Sequence, residues 1–229
     1  MEDERARVAD EAIRVYRRYA REFVESFRLC PWAERARLDG SMTERVLFQR
    51  GVDVFVEPLA IADDLASISS IEVALLIFPW MDVAELAFER FVSEIWRRHA
   101  DPFAPGPPPF AMASFHPRAE PDFGSPARLV PFIRRTPDPT IQLVRMHVLE
   151  RVRAGTPGGT EFFDPSLLSA ERLREIAPLS LRERIARSNH RTLSGPDFAR
   201  ALAVLDSVHA DRERSYGRGP EVAVPVSGE

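Results

Sequence analysis

Ile71-Glu72-Val73-Ala74-Leu75-Leu76-Ile77-Phe78-Pro79-Trp80 is the strongest apolar run in the chain. It is about half the ~20 residues needed to cross a bilayer. Its aliphatic and β-branched residues fit a buried strand over Val73–Phe78, stopped by Pro79. Asp82 can cap a helix from about Val83 to Arg98, with Leu86, Ala87, Phe91, Ile95 and Trp96 on its buried side. Asp101–Pro109 is Pro-rich and reads as a loop. Phe110–Phe115 is the next strand and ends at His116-Pro117. This order predicts a strand, helix, strand unit with a right-handed crossover.

Upstream, residues 4–28 predict one long amphipathic helix, with Val8, Ala12, Val15, Tyr16, Tyr19, Phe23 and Phe27 at helical steps. Cys30-Pro31 interrupts it. A short helix, Trp32–Leu38, ends near Asp39-Gly40, and Val46–Val56 reads as a strand or hairpin around Gly51. Downstream, Thr140–Val148 reads as strand, then helix. Helices follow at about 169–176, 180–192 and 196–213. The expected fold is a mixed α/β (α+β) domain over residues 1–215, a small sheet flanked by several helices behind a long N-terminal helix. Residues 216–229 read as a disordered tail.

The composition narrows the function. The 229 residues are 45% hydrophobic and 29% charged, enough to bury a core. The net charge of −4 argues against a nucleic-acid partner. Met1–Asp10 is charged and lacks the apolar segment of a signal peptide, so a cytoplasmic protein with no membrane partner is expected. One cysteine excludes an intramolecular disulfide and any multi-cysteine metal site within the chain. All 31 basic residues are Arg. That removes a P-loop lysine, Schiff-base catalysis and Ser–Lys dyads. Gly-x-Ser-x-Gly, His-Glu-x-x-His and the Gly-rich dinucleotide fingerprint are also missing.

A few residues could carry chemistry. Cys30 reads as the N-cap of the second helix, where the dipole favours a thiolate, a nucleophile or metal ligand; a small buried hydrophobe is the bland alternative. His116, at a strand end, can act as acid, base or ligand, or be a hydrogen-bonded structural histidine. Arg134, Arg135 and Arg145 flank the Pro137/Pro139 turn and can bind carboxylate or phosphate, or form surface ion pairs. His147 shares a face with Arg145 if that segment is a strand. Asn189, the only Asn, reads as helix surface or a cap. His99, His190 and His209 are expected to be exposed.

Leu29-Cys30-Pro31-Trp32-Ala33, Ala74-Leu75-Leu76-Ile77-Phe78-Pro79, Ala113-Ser114-Phe115-His116-Pro117, Arg135-Thr136-Pro137-Asp138-Pro139 with Leu143-Val144-Arg145, and Ile185–Asn189 occur in an order that resembles the bacterial domain-of-unknown-function family 1415. The resemblance covers about residues 20–195. Trp32 stands where the family usually has Phe, and the insertions at 101–109 and 155–170 are long. The order is more loosely similar to the YqcI/YcgG group, some of which are haem-dependent N-oxygenases. That similarity implies haem on Cys30 or His116, with Trp32 and other aromatics lining a slot and Arg134, Arg135, Arg145 or His147 near the propionates. A thiolate ligand pushes electron density onto iron. The expectation is a haem-binding redox enzyme, an oxygenase of a small nitrogenous substrate. The alternatives are a cofactor-free enzyme with a Cys30/His116 nucleophile and base pair, or a non-catalytic binding module whose long N-terminal helix allows a homodimer or a helical partner interface.

Overall fold

All five residues of Val73–Ile77 are buried, as a strand covered on both faces requires. This computed structural model describes residues 2–30, 33–154 and 181–217. The elements are α1 (Glu2–Tyr19), a π-helical stretch (Ala20–Glu25), α2 (Ala33–Leu38), β1 (Met42–Val46), α3 (Val56–Ser67), β2 (Val73–Ile77), α4 (Glu85–Ala100), β3 (Phe110–Phe115), α5 (Val130–Ile133), β4 (Thr140–Arg145), α6 (Met146–Ala154), α7 (Leu181–Leu193) and α8 (Asp197–Ser215). The expected helix at 169–176 and the tail beyond 217 lie outside the described residues.

The four strands form one sheet in the order β1-β2-β4-β3. β1 and β2 are parallel and joined through α3, while β4 runs antiparallel to both β2 and β3. β2 and β3 therefore point the same way across α4, as a crossover demands. They are not neighbours, because β4 lies between them. The mixed sheet, its flanking helices and the long N-terminal helix match the predicted class.

Alternation along the strands divides the core in two. Leu75 and Ile77 point toward α1 and α8, where they meet Val15, Tyr19, Phe23, Leu205 and Val208. Ala74, Leu76, Ile141 and Leu143 point the other way, onto Leu65 of α3 and Phe88, Phe91 and Ile95 of α4. Polar ties reinforce the first of these layers. Arg14 and Arg18 of α1 grip Asp211 of α8, and Arg17 binds Glu44 of β1.

Three local readings need correction. The strand near Gly51 is Met42–Val46, and Val56–Ser67 is helical. That helix has Glu57 and Pro58 in its first turn and buries Pro58, Ala62 and Leu65 on one face. Asp82 does not cap α4; its carboxylate pairs with Arg118, and α4 starts after Ala84 without a side-chain cap. Arg145 and His147 do not share a strand face, because β4 ends at Arg145 and α6 begins at Met146.

Candidate functional site

Small residues create the site. Ala111↔Val144 and Ala113↔Gln142 pair across β3 and β4 on the α1 side of the sheet. On the same face of β2, Leu75 and Ile77 fill their space. Two alanines cannot, so a hollow of about 1820 Å³ opens toward the β3 edge. Tyr16, Tyr19 and Cys30 line it from the N-terminal segment, Arg134 from the loop after α5, and Arg184 and Asn189 from α7. It continues round the edge of β3 to Met112, Ser93 and Trp96.

The π-helical stretch brings Cys30 to this wall. Each π turn takes one more residue than an α turn, which rotates everything after it. The Ser26 N–H donates to the Arg21 carbonyl at 3.1 Å, and the Leu29 N–H to that of Val24 at 2.8 Å. Arg28 then adopts φ +54°, a left-handed conformation that ends the helix. Cys30 follows, half-buried. It is not the N-cap of α2, whose first residue is Ala33, so the dipole argument for a thiolate does not carry over.

Asn189 holds the turn in place. It is 5% exposed and its Nδ2 donates to the Leu29 carbonyl at 2.9 Å. A helix-surface role is thereby corrected. Truncation would strand a buried carbonyl, which costs about 1–3 kcal/mol. Asn189→Ala is therefore expected to lower stability by that amount in urea titrations, and to raise the rate at which an aromatic disulfide reagent modifies Cys30. An unchanged Cys30 rate would show that the turn does not depend on this bond.

The electrostatics of the wall centre on the two tyrosines. Burial pushes the Tyr16 and Tyr19 hydroxyls well above the usual phenol range, and a charge on Cys30 pushes in the same direction. Arg134 acts oppositely on Tyr19. Tyr19 donates to the Ile133 carbonyl at 2.7 Å. Arg134 lies over the Phe115 ring, 5.3 Å from its centroid. A neutral phenol, a thiol and a guanidinium thus share one largely apolar wall.

The other expected residues lie elsewhere. His116 is 3% exposed and is not part of the cavity lining among the described residues. Its Nε2 donates to the Val83 carbonyl at 3.1 Å, and its Nδ1 accepts the Arg118 N–H at 3.2 Å. Burial lowers its basicity. In this geometry neither nitrogen is available to a thiol. Arg135 donates to the Pro117 carbonyl at 3.0 Å. Arg145 caps the end of α3, donating to the carbonyls of Leu65, Ala66, Ile68 and Ile71. His147 is exposed, 4.0 Å from Glu72. Trp32 lies outside the described residues. The three histidines expected at the surface are not exposed: His99 is 2% exposed and bonded to Asp63, while His190 and His209 are half-buried.

Sequence reasoning missed Tyr16 and Tyr19 as cavity wall, since their spacing reads as core, and Gln142 and Arg184 altogether. The legible signal was Ala111 and Ala113 alternating on a strand, two gaps on one face.

No curated protein and no solved structure matches the chain. A family model described as Protein of unknown function (DUF1415) matches residues 11–167. The match takes in the Cys30 turn and all four strands, and stops short of α7 and α8. Since it spans more than half of the 229 residues, the chain belongs to the DUF1415 family.

Proposed function

We propose that the cavity binds haem and that the protein is a redox enzyme acting on a small nitrogenous substrate. One observation carries the reading: Cys30 and Arg134 line a single, largely apolar cavity of about 1820 Å³. Pockets for drug-sized ligands are roughly 300–1,000 Å³, so this one has room for a flat prosthetic group with a substrate beside it. The residues fit such a group. Cys30 supplies a thiol, Ala111 and Ala113 leave the sheet face open to a planar ring, and Arg134 and Arg184 are cations within reach of the lining for carboxylates. Thiolate-ligated haem supplies O–O cleavage chemistry.

The chain's own groups have separate tasks. Asn189 fixes the backbone that carries Cys30. The raised Tyr16 phenol stays protonated and can donate a hydrogen bond without adding charge, while Tyr19, whose proton goes to the Ile133 carbonyl, can accept one. Gln142, half-buried on the cavity floor, offers a carboxamide to orient a polar substrate.

Hemin titration tests the reading. The protein is expected to gain a Soret band that moves to long wavelength when reduced under CO, as thiolate ligation gives. Cys30→Ala is expected to abolish that displacement. Ala113→Phe, which fills the floor, is expected to prevent uptake while leaving circular dichroism unchanged. A protein that takes up no hemin, or that binds it equally well with Phe at 113, overturns the proposal.

A further inference from the structure

A second cleft adjoins the cavity. It encloses about 520 Å³ and is lined by Pro126 and by Arg184, Arg187, His190 and Arg191 of α7. Arg184, Arg187 and Arg191 are spaced three and four residues apart, so they lie along one helix face. Arg184 lines both spaces and marks where they meet.

Among the described residues these three cations have no carboxylate. Among the described residues none of them makes a hydrogen bond or ion pair, and the Nε of Arg184 is buried with no partner. Acidic residues are not scarce: the chain has 35 against 31 arginines. Arg14, Arg18 and Arg37 each hold a carboxylate within 3.0 Å. Arg191 lies in the last turn of α7, where helix carbonyls favour a cation. Arg184 and Arg187 lack that compensation. A desolvated guanidinium N–H without an acceptor is unfavourable, and three like charges on one face repel. An anion in the cleft relieves both. His190 is engaged elsewhere: its Nε2 lies 3.1 Å from the Phe123 carbonyl oxygen and its Nδ1 3.2 Å from the Ser194 hydroxyl.

We infer that this cleft binds the phosphoryl end of an organic phosphate whose remainder enters the cavity past Arg184. A carboxylate has two oxygens and one charge, and one guanidinium fork satisfies it. Three forks suit a terminal phosphoryl group, with three acceptor oxygens and close to two charges at neutral pH. Cys30 is not among the residues lining the cleft, so the inference stands on the arginines and does not depend on haem.

The test uses the full chain without hemin and inorganic pyrophosphate as the probe. Pyrophosphate is expected to raise the melting temperature saturably, since a ligand that binds only the fold stabilises it. Arg184→Gln, and Arg187→Gln with Arg191→Gln, are expected to weaken that binding at least tenfold. Their unliganded melting temperatures should stay level or rise, because like charges are removed. Arg90→Gln with Arg214→Gln, an exposed pair outside the cleft, is expected to bind as the parent does. Glutarate giving equal stabilisation would show a general anion site and overturn the phosphoryl assignment. Equal weakening by the exposed pair, tighter binding of a DNA duplex than of pyrophosphate, or no saturable effect at all would each overturn it too.

Discussion

Arg212→Ala is expected to lower the unfolding free energy by about 3–5 kcal/mol, the cost of breaking a buried ion pair from one side. Asp138 is 2% exposed. Its Oδ1 accepts from Arg212 Nε at 2.9 Å, and its Oδ2 accepts from the Tyr216 hydroxyl. Arg212 Nη2 also donates to the Pro79 carbonyl at 2.8 Å, just past the end of β2. One side chain thus ties α8 to the turn before β4 and to the exit of the central strand. Burial pushes the Asp138 carboxyl up, and the Arg212 charge is the largest influence drawing it back. Remove that charge and a carboxylate is left uncompensated in the interior. Urea titrations of Arg212→Ala measure the loss. Adding Asp138→Asn to it should recover part of the stability, because the stranded charge goes with it. If the double variant is no more stable than the single one, the loss comes from packing or from the Pro79 bond.

The second large effect is an acid limb at unusually mild pH. Burial, and next the Arg135 charge, hold His209 down to about 4 from its ordinary 6.5, against the pull of Asp206. Burial lowers His116 as well. The fold therefore prefers both imidazoles neutral. That preference is fully present above pH 6.5 and is lost as pH falls through 6.5 toward 4. For His209 the difference amounts to about 3 kcal/mol. Carboxylates act later: Asp211, held low by Arg14, loses its contribution only below its ordinary 3.8. The urea midpoint is expected to decline between pH 6.5 and 4, and His209→Gln is expected to flatten most of that slope. An equally steep decline in the variant would place the titrating group elsewhere.

The fold was legible where local pattern and tertiary demand agree. Val73–Ile77 is apolar throughout because both its faces are covered, and the heptad-like run from Val8 to Phe27 packs as its spacing suggests. α3 was harder: its apolar positions are broken by Asp63 and Asp64 and lie beside a β-branched stretch that reads as a strand. Sheet order was out of reach, since nothing local in β4 says it will lie between β2 and β3. The site was half legible. Cys30 and Arg134 could be named from residue type and position, and both line the cavity. Asn189 could not, because its partner is a backbone carbonyl 160 positions away. Arg145 looked like an anion binder, but its fork meets carbonyls at and just beyond the end of α3. A guanidinium satisfies either need, and only the path of the chain decides which.

The insertion of β4 bears on how the protein is made. β1 and β2 leave the ribosome first and can join through α3 at once. β3 follows, but its only partner among the described strands is β4, so it must wait with both edges bare. The cavity floor is built from these two late strands, and its far wall, α7, comes later still. The hollow is thus among the last features to take shape during synthesis. A ligand present at that stage would meet a half-built cradle, and could speed its completion by favouring the docking of α7. Slow translation beyond residue 145 would prolong the interval in which an unpaired β3 is open to pairing with another nascent chain.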